Sequence, residues 1–104
     1  MIGASGAAVI LLAKALAREL SRDKIRVHPV ALTITSNTVG WDRMFATENF
    51  GNNLFAKAVA RFPSGRAPTA EEVAEAVVFL AGDAASQITG QTLSVNGGLS
   101  FGGW

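Results

Sequence analysis

The chain has 104 residues, 49% of them hydrophobic and 16% charged, with a net charge of +1 and no cysteine. That length bounds it to one small domain, and the apolar content excludes a disordered chain. Disulfides and thiolate metal sites are excluded with the cysteines, and the single histidine, His28, has no ligand-spaced partners. The basic group Arg18, Arg22, Lys24 and Arg26 is short and broken by Asp23, so no nucleic-acid partner is expected. Charged residues usually make up about a quarter of a soluble domain, so this chain is expected to lay apolar surface against another chain.

Residues 3–21 predict the first long helix, rich in alanine and leucine. Lys14, Arg18 and Ser21 or Arg22 recur at steps of three or four and draw one narrow polar stripe. The rest of the helix is apolar and needs cover on more than one side. Its apolar run, residues 7–13, is too short to span a membrane, and no basic segment opens a secretory signal. A cytoplasmic protein without membrane contact is the expectation.

Ile25 to Ile34 predicts a strand, with Pro29 at a position where a missing N–H is tolerated. Residues 36–66 form a lid-like segment, broken at Ser36-Asn37, Gly40 and Gly51-Asn52-Asn53, with short helices expected over 44–49 and 54–62. Trp41, Phe45, Phe50, Phe55 and Phe62 fall here, five of the eight aromatic residues. They are expected to pack the segment onto the body, the functional alternative being a substrate-covering lid.

Thr69 and Glu72 have capping-box spacing and open a helix over 70–81 that Gly82 ends. Val73, Ala76, Val77 and Leu80 mark its expected core face. Residues 83–86 suit a single turn, and Gln91 to Val95 alternates as a half-buried strand. Asn96-Gly97-Gly98 turns the chain, and the tail Leu99 to Trp104 carries two aromatics on flexible glycines, as for docking on a partner.

Gly65-Arg66-Ala67-Pro68-Thr69-Ala70-Glu71-Glu72-Val73-Ala74, Val78-Phe79-Leu80-Ala81 and Ser86 through Gly98 together resemble the last portion of the short-chain dehydrogenases/reductases. The order helix, strand, lid segment, helix, strand agrees with it across nearly the whole chain. The resemblance implies an α/β fold: a truncated Rossmann-like unit with two main helices, two strands and a helical lid segment, completed by oligomerisation. It is one domain, 1–104.

Met1-Ile2-Gly3-Ala4-Ser5-Gly6 resembles the family's Tyr-Gly-Ala-Ser-Lys stretch, in which the tyrosine and lysine carry the proton chemistry. Ile2 stands at the tyrosine position and Gly6 at the lysine position, and neither carries a proton. Leu32-Thr33 replaces the Pro-Gly that contacts the nicotinamide, and Asn37 replaces a cofactor-bonding threonine while keeping a hydrogen-bond donor. The glycine-rich pyrophosphate turn and the catalytic serine would lie ahead of residue 1 and are not expected in this chain.

Three functional readings follow. The first is a non-catalytic, self-associating fragment of a short-chain dehydrogenase/reductase-like protein, a homo-oligomer (dimer or higher) that binds no NAD(P) of its own. The second is a residual nicotinamide-dependent oxidoreductase, with NAD(P) implied by the family resemblance alone. The third is a small serine hydrolase, an esterase or lactonase, using Ser5 of Gly3-Ala4-Ser5-Gly6-Ala7 and His28, with Asp23 or Asp42 as the acid.

Overall fold

A computed structural model describes residues 2–46, 50–102 and 104. It contains helices α1 (Ile2–Leu20), α2 (Val39–Ala46), α3 (Phe50–Val59) and α4 (Ala70–Ala81), and strands β1 (Val30–Leu32) and β2 (Leu93–Val95). Single 3-10 turns, Ser21–Asp23 and Asp83–Ala85, follow α1 and α4. The strands pair in parallel with Val30 opposite Leu93, Ala31 opposite Ser94 and Leu32 opposite Val95. A parallel pair needs a long crossover, and the segment containing α2, α3 and α4 supplies it. The fold is α/β, as expected.

The expected strand over 25–34 contracts to three residues, for reasons visible in its bonding. Pro29 has no N–H to donate, though its carbonyl accepts from Leu93 N–H at 3.1 Å. The N–H of Val27 turns to the Thr89 hydroxyl, 3.1 Å, and its carbonyl accepts from Gly90 N–H, 2.8 Å. Arg26 donates to the carbonyls of Leu80 (2.6 Å) and Gly82 (3.1 Å), closing the end of α4. Residues 25–29 thus run extended but bond to loops. Gln91 and Thr92 likewise precede β2 rather than belonging to it.

The lid segment also departs from expectation. The helix expected over 44–49 begins earlier, at Val39, because Thr38 caps it through a 3.1 Å bond from Trp41 N–H to its hydroxyl. Residues 47–49, where that helix was expected to end, lie outside the described residues. The helix expected over 54–62 starts at Phe50, so Gly51-Asn52-Asn53 runs through as helix instead of breaking it. The helical preference of the following residues outweighs the local cost of that tripeptide. α2 and α3 pack on each other, and Trp41 lies on Phe45 with ring centroids 4.6 Å apart.

α4 forms over the expected range with both halves of the capping box: Glu72 N–H on the Thr69 hydroxyl and Thr69 N–H on the Glu72 carboxylate. Its core face is narrower than expected. Leu80 is buried, but Val77 is 46% exposed, as Val78 and Phe79 are also exposed. α1 is corrected too. Its inward stripe is Ile10, Ala13, Lys14 and Ala17, so Lys14 faces the body, where its ammonium donates to Gly90 O at 2.7 Å. Small side chains let α1 approach closely, while Val9, Leu11 and Leu12 are left exposed.

The buried apolar set is Ala13, Ala17, Phe62, Ala67, Leu80 and Ala85, and among the described residues no large side chain is wholly enclosed. The accessible surface is 7360 Å² for 10.8 kDa. A compact monomer of that mass exposes roughly 5,500 Å². The Cα radius of gyration is 15.8 Å, against about 13 Å for a compact domain of this length.

Candidate functional site

Two of the positions that the family resemblance singles out, Gly6 and Leu32, line one groove. α1 and β1 form its walls, with Gly3, Gly6 and Ile10 on one side, Pro29 and Leu32 on the other, and Trp104 at the edge. Its volume is about 750 Å³. Ile2 and Gly6 are four residues apart on α1, one helical turn, and so share a face. A Cβ built on Gly3 or Gly6 meets nothing within 4 Å, so the wall is open at Gly6, where the lysine would stand.

The other expected positions are spread over the chain. Asn37 adopts a left-handed backbone, φ +59°, and its amide donates to Glu71 at 3.1 Å. Beside it, Ser36 donates its N–H to Pro68 O at 2.8 Å and accepts from Ala70 N–H at 3.0 Å. The entry of segment 36–66 is thereby clasped to the start of α4. Its exit is tied by Ser64 N–H to Gly97 O, 3.1 Å. The Asn37 bond holds the Glu71 carboxyl below its ordinary range.

His28 is bound at both ring nitrogens. Nε2 lies 2.7 Å from Ile88 O, while Nδ1 lies 3.3 Å from Gln91 N and 3.1 Å from Gln91 O. A tautomer with its proton on Nε2 donates to Ile88 and accepts from Gln91 N–H. Ser5 lies on the exposed side of α1, within its second turn, and the residues from Ile2 that precede it are helical. A nucleophile elbow has a strand at that place.

A second cleft, about 510 Å³, lies between the end of the lid segment and β2, with Arg66, Glu72, Thr92, Ser94 and Asn96 on its walls. Arg66 grips Glu72 with two bonds of 2.6 and 2.8 Å, which holds the Glu72 carboxyl down to about 2. Asn96 is nearly buried and fully used. Its amide donates to Ser100 O (3.1 Å) and Ser100 Oγ (3.0 Å), and its Oδ1 accepts from Gly98 N–H (3.1 Å). The Thr92 hydroxyl oxygen is buried there without a hydrogen-bond partner among the described residues. The arginine clamp of Arg26 and the Asn96 latch escaped the sequence reading. Asn96 was visible only as the first residue of a turn.

Residues 1–100 match the family described as Enoyl-(Acyl carrier protein) reductase. The chain belongs to the short-chain dehydrogenase/reductase family. It is 41% identical over 96 residues to the 3-oxoacyl-[acyl-carrier-protein] reductase FabG of Salmonella typhimurium and 40% identical to that of Escherichia coli. Each alignment covers 92% of this chain and 36% of the reductase, so the chain spans about a third of the length of these relatives. An NADPH-bound short chain oxidoreductase of Pseudomonas aeruginosa PAO1, said to contain an atypical catalytic center, superposes with a TM-score of 0.77 at 27% identity. That superposition covers 92% of this chain and 37% of the oxidoreductase. A Burkholderia xenovorans short-chain dehydrogenase/reductase gives 0.80 at 26% identity, over 89% of this chain and 35% of its own. The chain corresponds to the C-terminal portion of such a protein.

The family uses nicotinamide cofactors, and the positions that the resemblance assigns to one are altered or engaged here. Asn37 spends its amide on Glu71, Leu32-Thr33 has neither the proline nor the glycine, and the wall at Gly3 and Gly6 offers no side-chain donor. Among the described residues, no three His, Cys, Asp or Glu side chains group as metal ligands, and no helix is long and apolar enough to cross a membrane.

Proposed function

We propose that this chain is a non-catalytic, self-associating, cytoplasmic part of a short-chain dehydrogenase/reductase, whose role is packing rather than hydride transfer. One observation carries the reading: the chain exposes far more surface than a compact monomer of its size, and large apolar side chains stand in it. The excess over a compact monomer is roughly 1,800 Å², about twice what one partner buries in a standard interface, near 800 Å². The exposed side chains that contribute are large and clustered. Leu12 and Leu16 are exposed on α1, and Val77, Val78 and Phe79 cover the last turn of α4. Two such faces suit a dimer or a larger closed assembly of identical copies.

Light scattering behind size exclusion, with and without NAD(H) and NADP(H), tests this. A dimer or larger species indifferent to cofactor is the expected result. A monomer that binds a dinucleotide would overturn it and favour the second reading, a residual nicotinamide-dependent oxidoreductase. That second reading draws on the Pseudomonas aeruginosa relative, which holds NADPH with an atypical catalytic center.

A further inference from the structure

His28 is the one histidine of the chain, half-buried on the extended run that leads into β1. Its ring faces the loop before β2 and meets three backbone groups there with two nitrogens. Nε2 lies 2.7 Å from Ile88 O, while Nδ1 lies 3.1 Å from Gln91 O and 3.3 Å from Gln91 N. A bare nitrogen so close to the Ile88 carbonyl would repel it, so the proton of the neutral ring sits on Nε2. Nδ1 is then an acceptor, and the Gln91 N–H is its donor. The Gln91 carbonyl faces the same nitrogen and receives nothing from it. A second proton on the ring reverses this, because Nδ1–H then needs an acceptor and Gln91 O already stands at hydrogen-bond distance.

We propose that His28 is a proton-operated switch of the loop before β2: the neutral ring holds the Gln91 N–H, and the imidazolium holds the Gln91 carbonyl. The anchor thereby passes from the peptide that joins Gly90 to Gln91 to the peptide that joins Gln91 to Thr92, next to β2. Ile88 O receives Nε2–H in both states. Gly90 stays fixed by its own bonds, its N–H to Val27 O at 2.8 Å and its carbonyl from Lys14 at 2.7 Å. The loop therefore stays in place while one bond at its end is exchanged. The charged groups around the ring are Arg26 on the same run, 3.4 Å from Ile88 O, and Lys14 from α1. Asp83 stands beyond Arg26, on a cleft with Lys24 that His28 does not line. Among the described residues no carboxylate pairs with His28, so what receives the second proton's N–H is the Gln91 carbonyl and not a counter-ion. The switch does not rest on the self-association reading, since none of the exposed apolar side chains takes part in it.

The test is a nuclear magnetic resonance titration of the intact isotope-labelled chain between about pH 8 and about pH 5, the span in which histidine changes charge. With a single histidine, the ring nitrogens give one unambiguous set of signals. At the upper end the ring is expected with its proton on Nε2. As it gains the second proton, the Gln91 amide proton should move upfield, having lost its acceptor. The Gln91 carbonyl carbon should move downfield, having gained a donor, and both should share the midpoint of the ring. In His28→Gln both movements should vanish. Gln91 signals that ignore the ring's midpoint, or a high-pH ring protonated on Nδ1, overturn the proposal. Equal movements in a folded His28→Gln overturn it as well, since another group would then cause them. If His28→Gln does not fold, the midpoints in the unsubstituted chain decide.

Discussion

The backbone of Gly90 rests on the methyl of Ala17: a Cβ added to Gly90 would lie 3.4 Å from the Ala17 Cβ, at a residue whose φ is +69°. One turn of α1 away, Lys14 donates to the Gly90 carbonyl at 2.7 Å. The loop before β2 thus touches α1 with a backbone atom and is pinned there by an ammonium. Two costs meet in Gly90→Ala. A left-handed backbone is unfavourable for a side chain, and the added methyl tightens against α1. The expected loss is about 1–2 kcal/mol, read as a fall in the urea midpoint with unchanged slope. A neutral Gly90→Ala would mean that α1 does not sit as closely on the loop as described.

Gly6 presents the opposite case. It lies in the body of α1, it is exposed, and nothing stands within 4 Å of an added Cβ. Replacing a glycine by alanine in an open helix position gains up to about 1 kcal/mol. Gly6→Ala is therefore expected to raise the thermal midpoint. The same open space would accept a lysine. Even so, Ile2→Tyr with Gly6→Lys is expected to give no NAD(P)H-dependent turnover, because Asn37 and Leu32-Thr33 still offer no seat for the nicotinamide. Turnover measurable above a blank would show that the cofactor finds other residues.

What could be read in advance was what local chemistry decides. The Thr69 and Glu72 capping box forms because a threonine hydroxyl and a carboxylate three residues later need no distant partner. Gly82 ends α4 at the expected place, and β2 carries the expected Leu93 and Val95. The misjudged features depend on residues far apart in sequence. Lys14 looked like part of a solvated stripe, yet it reaches Gly90, 76 positions on. Arg26 looked like one member of a short basic group, yet it closes α4 through the carbonyls of Leu80 and Gly82. Of the candidate site, Ile2 and Gly6 could be assigned from the resemblance, but the helix expected from residue 3 left Ile2 outside it. The capture of Asn37 by Glu71 could not, since it follows from the left-handed turn at Asn37 and the clasp at Ser36.

Acid should loosen the joint between the lid segment and α4. Glu72 is held down to about 2 by Arg66, and Glu71 is held below its ordinary range by Asn37. A carboxylate whose folded value is depressed stabilises the fold fully above its unfolded value, about 4.3, and loses that contribution as pH falls toward the folded one. The thermal midpoint is therefore expected to fall between about pH 5 and pH 2. Both groups are solvated, and added salt should shrink the effect. In Glu72→Gln the slope over that window should flatten. An equal slope in the variant would assign the acid sensitivity to other carboxylates.

Val77 and Leu93 separate packing within the chain from packing between chains. Leu93 is half-buried in β2 opposite Val30, so Leu93→Asp sets a carboxylate within the only strand pair among the described residues. The desolvation cost is at least about 2 kcal/mol, and loss of helicity together with cooperative melting is expected. Val77 is 46% exposed, beside the exposed Val78 and Phe79. A carboxylate there stays in water as long as the chain is alone, so Val77→Asp should keep its circular dichroism spectrum. In an assembly that covers the last turn of α4, the same substitution buries an unpaired charge, and the dissociation constant should rise by at least tenfold. Sedimentation at several protein concentrations distinguishes the outcomes. If Val77→Asp folds and associates as tightly as the unsubstituted chain, α4 is not an interface, and the exposed leucines of α1 become the residues to substitute next.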